Sequence, residues 1–314
     1  MTKQIQISVV IPVYNGIKTL PDLINGIRHQ TIFNELEVVV MDSGSDDGSI
    51  EYLARFNFVR IWHIDKNDFN HGTTRNLAVK NCLGKFIFMT VQDAWTIDDR
   101  LLEKMLFHFK NEKVHAVCGH QIVPHDVDKN PHEWFRPRDK PSFKLISFKH
   151  EEFKKLSPKE LRSNCGWDNV ISIYRKKSLL ELPFEEIIFG EDMLWAKMAL
   201  ENGWAIVYDS SCIINHYHYS FLDYTYKRTL ISKLFILKCF NYFDARNFGF
   251  KQYLLVIYRN FKWKCDFKWI LHNWKIIYQY NRATSDLLKH HSKNTIEKLE
   301  FEFKLNVPIG RTNL

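Results

Sequence analysis

The chain has 314 residues, of which 45% are hydrophobic and 25% are charged, values typical of a globular protein that can bury a full core. Its formal net charge of +8 is unevenly distributed. Residues 1–220 carry 27 Lys and Arg against 29 Asp and Glu, a balance of −2, whereas residues 221–314 carry 17 against 7, a balance of +10. The two parts of the chain are therefore expected to face different surroundings.

The six cysteines are scattered and include no Cys-x-x-Cys pair, which argues against both a zinc site and a disulfide scaffold. The apolar run near the N-terminus is too short for a secretory signal and leads directly into a strand pattern. No stretch approaches the roughly 18 apolar residues that a membrane-spanning helix needs. We expect a cytoplasmic protein, either soluble or held as a peripheral protein at the inner face of the plasma membrane.

Strand-like and helix-like segments alternate over the first 120 residues. Continuous apolar runs predict strands at Ile7–Val13, Leu36–Met41, Val59–Ile64, Phe86–Thr90 and His115–Cys118. Helical spacing of apolar residues predicts helices at Leu20–Arg28, Ile50–Phe56, Thr73–Asn81 and Asp98–Phe109. This alternation predicts an α/β fold whose sheet is mostly parallel and carries helices on both faces.

The pattern changes twice further along the chain. Residues 120–165 lose periodicity, which predicts a long loop or lid. Strand patterns return at Val170–Tyr174, Ala205–Tyr208 and Cys212–Asn215, and a helix is predicted after Glu191-Asp192. From residue 221 onward aromatic residues interleave with Lys and Arg. We therefore expect a catalytic domain at residues 1–220 and a basic, aromatic-rich helical region at 221–314.

Polar residues follow several of the predicted strands. In open parallel sheets, ligands bind beyond the carboxyl ends of the strands. The residues that the pattern places there are Tyr14, Asn15, Asp42, Asp46, Asp93 and His216. Carboxylates can share such an edge if they accept hydrogen bonds from a ribose or base, or bind a divalent cation that faces a diphosphate. Neither a dinucleotide-binding Gly-x-Gly-x-x-Gly after the first strand nor a P-loop motif occurs.

Five blocks follow one another in the sequence: VVIPVYN (9–15), VMDSGSDDGS (40–49), FNHGTTRN (69–76), QDA (92–94) and FGED (189–192) with Trp195. Together they resemble the inverting family 2 glycosyltransferases of the GT-A fold over residues 5–220. The combination of HGTTRN, QDA, EDMLWAK (191–197) and NHYHYS (215–220) is most similar to a bacterial rhamnosyltransferase branch. The resemblance implies transfer of a sugar, with dTDP-L-rhamnose as the preferred donor, to a bacterial surface polysaccharide or lipid-linked glycan.

The resemblance also implies roles for individual residues. The nucleotide sugar would be bound by Pro12, Tyr14, Asn15, Asp42, Arg75, Gln92 and Asp93. Asp93 would hold a divalent cation, Mg²⁺ or Mn²⁺, with His216 or His218 as a further ligand, and Asp192 would be the general base. The sequence departs from the usual Asp-x-Asp pattern, because Gln92-Asp93-Ala94 supplies only one acid.

Each assignment has a structural alternative. Asp42 and Asp46 suit a turn, Asp93 suits a loop, and Glu191-Asp192 suits an ordinary helix N-terminus. Trp134 and Trp167 are expected either to stack on sugar rings or to pack the lid.

Several functional alternatives stay open. They are a UDP-hexose or UDP-N-acetylhexosamine donor, and an inactive binding protein that keeps the fold. A nucleotidyltransferase would be expected to carry a Gly-rich phosphate loop, which Pro12–Gly16 does not supply.

The basic C-terminal region has three interpretations: nucleic-acid binding, contact with an anionic membrane surface, and packing as a helical annex. No nucleic-acid-binding motif accompanies the charge, so no nucleic-acid partner is expected. The sequence does not separate the other two.

Overall fold

The computed structural model describes residues 4–124, 130, 132, 142–187, 189–217, 222–291 and 298. Within them one sheet runs in the order β3-β2-β1-β4-β8-β6-β9-β5, and β7 also pairs with β9. Its first four strands are β1 (Ile7–Val13), β2 (Leu36–Asp42), β3 (Val59–His63) and β4 (Phe86–Met89). They are mutually parallel, with β1 between β2 and β4. Six of the seven β1 residues and all of β2 are buried, as a strand covered on both faces requires.

The other half of the sheet has mixed directions. Its strands are β5 (Ala94–Trp95), β6 (Val114–Ile122), β7 (Phe143–Ile146), β8 (Ser172–Arg175) and β9 (Ala205–His216). Strand β8 is antiparallel to both β4 and β6, while β6 and β9 are parallel. Strands β5 and β7 both run antiparallel to β9.

Eight helices precede the C-terminal region in the described residues. They are α1 (Leu20–Arg28), α2 (Ser49–Leu53), α3 (His71–Asn81), α4 (Leu101–Phe107), α5 (His150–Lys154), α6 (Pro158–Asn164), α7 (Lys176–Glu181) and α8 (Glu191–Glu201). Short 3₁₀ helices lie at Phe33–Glu35, Lys66–Asp68 and His108–Lys110.

The hydrophobic core lies on both faces of the sheet. Successive strand residues point to opposite faces, so Val9 belongs to the cluster that contains Leu20 and Met105, from α1 and α4. Val10 belongs to the other cluster, with Trp195 from α8. The predicted α/β fold with a helix-covered sheet is therefore confirmed.

The prediction of an irregular region over residues 120–165 was wrong for 143–164. That stretch contains β7, α5 and α6, which are too short to give a periodic signal. Helix α6 nevertheless has a recognisable start, because Ser157 Oγ accepts from the Glu160 N–H at 3.3 Å and Glu160 Oε2 accepts from the Ser157 N–H at 2.9 Å. The two strands predicted at Ala205–Tyr208 and Cys212–Asn215 form the single strand β9, whose pairing with β6 shifts register between them.

Three helices follow residue 221: α9 (Leu222–Phe240), α10 (Phe250–Lys262) and α11 (Lys268–His291). Helix α9 shares the core of the catalytic part, since Phe235 and Phe240 belong to the same cluster as Trp195. Lys197 of α8 also donates to the Cys239 carbonyl at 2.7 Å.

Helix α11 packs on α9 through Leu230 and Leu287, and on α10 through Val256 and Ile277. Within the described residues, none of the helices combines the length and hydropathy that a bilayer crossing needs. The domain boundary at 220 stays a prediction, and α9 packs against both regions.

The contact between Gly190 and α9 can be tested with an alanine. Gly190 has φ +79°, and an added Cβ would lie 2.5 Å from Phe235 Cε1. Gly203 has a similar φ of +75°, but its nearest neighbour would be 3.9 Å away. We expect Gly203→Ala to lower the free energy of unfolding by about 1–2 kcal/mol through backbone strain, and Gly190→Ala to lower it by about 1–3 kcal/mol more through the clash. Urea denaturation measures both, and equal losses would contradict the packing of α9 described above.

Candidate active site

The carboxyl ends of three parallel strands are level. Val13 pairs with Asp42, and Asp42 pairs with His63. Pro12, opposite Met41, lies one residue inside this edge. The Asp42 carboxylate is buried and accepts from the N–H groups of Gly44 at 3.2 Å and Ser45 at 3.1 Å.

His63 Nδ1 lies 3.0 Å from Asp42 Oδ2, the oxygen that also accepts from the Gly44 N–H. Asp42 thus stabilises the turn after β2, which is the structural role considered for it in the sequence. Its contact with a nucleotide stays a prediction.

The loops after β1 and β2 are joined by hydrogen bonds. The Asn15 N–H donates to Ser45 Oγ at 2.9 Å, and Asn15 Oδ1 accepts from the Asp46 N–H at 2.9 Å. Asn15 adopts φ +49°, a conformation that asparagine tolerates better than most residues. The Ile17 N–H donates to Asp47 Oδ2 at 3.0 Å. Burial alone would raise the pKa of Asp47, but the hydrogen bonds that its carboxylate accepts hold that pKa below its usual value.

Gln92 fixes the loop after β1 through both ends of its amide. Its Oε1 accepts from the Tyr14 N–H at 2.8 Å, and its Nε2 donates to the Tyr14 carbonyl at 3.0 Å. The backbone of Tyr14 is therefore held much as a neighbouring strand would hold it. The Tyr14 hydroxyl accepts from Lys66 Nζ at 2.5 Å, and Nζ lies 4.3 Å from the ring centroid. Lys66 was missed by the sequence reasoning, because its short 3₁₀ helix carries no periodic signal.

Asp93 and His216 are brought together by the antiparallel pairing of β5 with β9, in which Ala94 lies opposite His216. His216 Nε2 is 3.4 Å from Asp93 Oδ1, and the Asp93 side chain is 21% exposed. On its other side, His216 Nδ1 lies 2.8 Å from Gln121 Oε1. Gln121 Nε2 donates to Asp168 Oδ2, so its Oε1 is the atom that accepts from His216. With Nδ1 directed at Gln121, the other ring nitrogen of His216, Nε2, faces Asp93.

This arrangement suits a divalent cation. A carboxylate oxygen and an imidazole nitrogen at this spacing can share a proton or coordinate one cation. Adjacent ligand atoms of an octahedral ion with bonds of about 2.1 Å lie about 3.0 Å apart, close to the separation of Asp93 Oδ1 from His216 Nε2. In the described part of the chain, no group of three or more His, Cys, Asp or Glu residues could hold a metal ion. His218, the alternative ligand, lies outside the described residues, so the metal-binding roles stay predictions.

Arg75 is paired inside the protein. Its Nη1 lies 2.8 Å from Glu191 Oε1, both side chains are buried, and the same Nη1 donates to the His71 carbonyl at 3.2 Å. Burial by itself would raise the pKa of Glu191, but Arg75 alongside brings it below its usual value, so Glu191 stays anionic. The structure therefore assigns Arg75 a contact that the sequence did not predict, and its predicted contact with donor phosphates stays a prediction.

Asp192 lies in the first turn of α8 and is half-buried. Its Oδ2 accepts from the Asn169 N–H at 3.0 Å and its Oδ1 from the Met193 N–H at 2.7 Å, so two backbone donors orient the carboxyl. Burial, followed by the negative charges of Glu191 and Asp168, raises the pKa of Asp192 well above its usual value. A partly exposed carboxylate with a raised pKa accepts a proton more readily than an ordinary aspartate.

The side chain of Asn169 is itself fixed by a hydrogen bond. Its Oδ1 accepts from the Tyr174 hydroxyl at 2.7 Å, and that hydroxyl accepts from Trp167 Nε1 at 2.8 Å. Trp167 is buried in the core, which favours packing over sugar stacking. Trp134 lies outside the described residues.

A series of side-chain contacts leads from Asp93 toward Asp192. Asp93 contacts His216, His216 contacts Gln121, and Gln121 donates to Asp168. Asp168 is in turn close enough to raise the pKa of Asp192. The sequence reasoning missed Gln121, Asp168 and Asn169, because all three fall at or beside the stretch that had no periodic signal.

Comparisons with known proteins identify the family. Residues 8–176, slightly more than half of the chain, match the family described as glycosyl transferase family 2. The O-antigen chain rhamnosyltransferase RfbN of Salmonella typhimurium is 32% identical over 217 residues, which cover 68% of this chain and 67% of that protein. The O-antigen chain rhamnosyltransferase WbaN of Salmonella anatum is 26% identical over 216 residues, covering 67% of this chain and 66% of that protein.

Solved structures extend the likeness to the fold. The mannosyltransferase PcManGT from Pyrobaculum calidifontis, solved with GDP-Man and Mn²⁺, aligns with a TM-score of 0.55 at 13% identity, covering 96% of this chain and 80% of that chain. Residues 1–349 of Staphylococcus aureus TarS align with a TM-score of 0.52 at 16% identity, covering 96% of this chain and 92% of that chain. These likenesses identify the fold as GT-A.

The raised pKa of Asp192 has a consequence for stability. The folded protein binds this proton more tightly than the unfolded chain, where the pKa of Asp is about 3.9. The associated stability is present below that pH and is lost as the pH rises through the folded pKa. We expect Asp192→Asn to gain stability relative to the parent as the pH increases, by about 1.4 kcal/mol for each unit of pKa shift.

Glu201→Gln is the matched control, because it removes one carboxylate from the exposed end of the same helix. Its difference from the parent should change little with pH in urea denaturation series. If the Asp192→Asn series were equally flat, the raised pKa of Asp192 would be refuted.

Proposed function

This chain belongs to glycosyl transferase family 2, and from that premise we propose that it transfers L-rhamnose from dTDP-L-rhamnose to a bacterial surface polysaccharide or lipid-linked glycan, with inversion at the anomeric carbon. It is a glycosyltransferase. The proposal concerns the donor, the acceptor, the stereochemistry and the roles of individual residues.

The donor proposal is supported by two relatives, RfbN and WbaN, which are both described as O-antigen chain rhamnosyltransferases. The same descriptions support an O-antigen-like glycan as the acceptor. A UDP-N-acetylhexosamine donor is the competing proposal. It is supported by S. aureus TarS, a poly(ribitol-phosphate) β-N-acetylglucosaminyltransferase that was solved with UDP-GlcNAc and is 27% identical over 32% of this chain.

The observation that supports the mechanism is the series of contacts from Asp93 through His216 and Gln121 to Asp168. Asp168 lies close enough to Asp192 to raise the pKa of that carboxyl. Transfer of a glycosyl group from a nucleoside diphosphate needs these two functions together: an acceptor for the hydroxyl proton and compensation for the charge on the leaving diphosphate.

Asp192 would take up the proton of the acceptor hydroxyl as the new bond to the anomeric carbon forms. The two backbone donors at Asn169 and Met193 keep its carboxyl in one orientation. Its raised pKa makes its carboxylate a stronger proton acceptor than that of an ordinary aspartate. Because a single base on the face opposite the leaving group is sufficient, the reaction proceeds with inversion.

Asp93 and His216 would hold the divalent cation, Mg²⁺ or Mn²⁺. Bound there with donor oxygens completing its coordination, such an ion supplies positive charge to the leaving diphosphate. Gln121 fixes the ring of His216 so that Nε2 faces this position. Tyr14, on the loop held by Gln92, and Lys66, in the 3₁₀ helix after β3, would contact the nucleoside end of the donor.

The donor can be identified by thermal shift. We expect dTDP and dTDP-L-rhamnose to raise the melting temperature in the presence of Mg²⁺ or Mn²⁺, with a stabilisation of about 2.7 kcal/mol at a hundredfold excess over the dissociation constant. Asp93→Asn should remove the metal-dependent part of the shift. A shift with UDP-GlcNAc alone would contradict the rhamnose donor, and no shift with any nucleotide sugar would contradict the binding roles.

The base can be tested separately from donor binding. We expect Asp192→Asn to lower turnover by roughly 10²–10⁴-fold, because the proton of the acceptor hydroxyl loses its acceptor. The donor-induced thermal shift should be retained. Glu201→Gln, on the same helix, should keep parental turnover in the same radiolabel-transfer assay, and an active Asp192→Asn enzyme would refute the assignment.

A further inference from the structure

Helix α10 turns a strongly apolar face to solvent. Phe250, Leu254, Tyr258 and Phe261 are 75%, 48%, 60% and 70% exposed. Their spacing of four, four and three residues puts them on one side of the helix. The opposite side, which carries the buried Val256, packs against α11. The outward face is therefore apolar without being needed for the fold.

Lysines border this face. Lys251 and Lys262 are exposed along one edge of the apolar face. Lys264, in the turn that follows, and Lys268, the first residue of α11, are exposed on either side of the exposed Phe267. We call the exposed side chains of residues 250–268 the α10 surface. The stretch 250–268 contains five Lys and Arg residues and one acid, Asp266, and so has a net charge of +4.

This combination narrows the choice of partner. An apolar face bordered by cations is complementary to a bilayer with anionic headgroups, where the rings and aliphatic chains enter the interface and the ammonium groups stay at headgroup level. Tyr258 and Trp263 suit that boundary, and Lys262 Nζ lies 5.8 Å and 6.0 Å from their ring centroids. A second copy of this chain is disfavoured, because a two-fold contact would bring together two surfaces whose exposed side chains each carry a net charge of +3.

We propose that the α10 surface docks this protein on an anionic lipid bilayer, with α10 lying in the plane of the interface. The 13 residues of α10 are too few for a helix that crosses the bilayer, which needs about 20. The inference is independent of the donor, the acceptor and the catalytic residues proposed above, and its failure would leave them untouched.

The test uses the full chain and two sets of vesicles, phosphatidylcholine alone and phosphatidylcholine with phosphatidylglycerol. Co-flotation with the anionic vesicles, reduced by added salt, is expected, together with little binding to the neutral ones. Lys251→Glu/Lys262→Glu/Lys268→Glu should weaken anionic binding on the order of a hundredfold. Leu254→Ser/Phe261→Ser should weaken it about tenfold or more, through loss of apolar insertion.

The matched control is Leu83→Ser/Phe107→Ser, which removes two similarly exposed apolar side chains from α3's end and α4. It should bind anionic vesicles like the parent. Parental binding by the triple-lysine variant, or absence of binding by the parent to anionic vesicles, would overturn the proposal. Light scattering that detects a dimer of the parent, and monomers of the Leu254→Ser/Phe261→Ser variant, would also overturn the proposal. The lysine variant alters only exposed side chains, so it decides the question even if the apolar variant fails to fold.

Discussion

Arg75 and Glu191 come from α3 and α8, 116 residues apart, and meet inside the protein at 2.8 Å. Two charges withdrawn from water are tolerated only as a pair, and removal of one partner from such a pair typically costs about 3–5 kcal/mol. Because Arg75 keeps Glu191 anionic, the adjacent Asp192 experiences a fixed negative charge and holds its proton more tightly. The pair thus joins two helices across the core. It also adds to the rise in the pKa of Asp192, of which burial is the larger cause.

The parts of the fold that follow local rules were predictable. Strand β1 and helix α1 agree with prediction to the residue, because an unbroken apolar run and a clear helical period each extend over seven residues or more. Helix α5 has only five residues, and the seven residues of α6 include Leu161 as their single large apolar side chain, so neither shows a helical period. The candidate site shows the same division. Asp93, Asp192 and His216 were found from motifs, whereas the Gln121 and Asp168 contacts join residues 47 and 95 positions apart and depend on sheet pairing that no local pattern contains.

The C-terminal helices serve the protein in two physical ways. Helix α9 contributes rings to the core beneath α8 and is part of the body that positions the site. Helix α10 packs on α11 through Val256, in a separate hydrophobic cluster, and directs most of its aromatic surface outward. The excess of Lys and Arg lies beyond residue 220 and so includes both helices.

The contact between Gly190 and Phe235 limits how such an enzyme can be recombined. Glycine is required at the residue that precedes the acidic pair of α8, both by its backbone angle and by the ring that lies against it. A chimera that takes its C-terminal helices from a relative would inherit a different ring, or none, at this point. The fit would have to be restored before the grafted segment could support the acidic end of α8. The C-terminal helices are thus less interchangeable than their place at the end of the chain suggests, and module swapping to redirect an enzyme of this kind has to treat α8 and α9 as one unit.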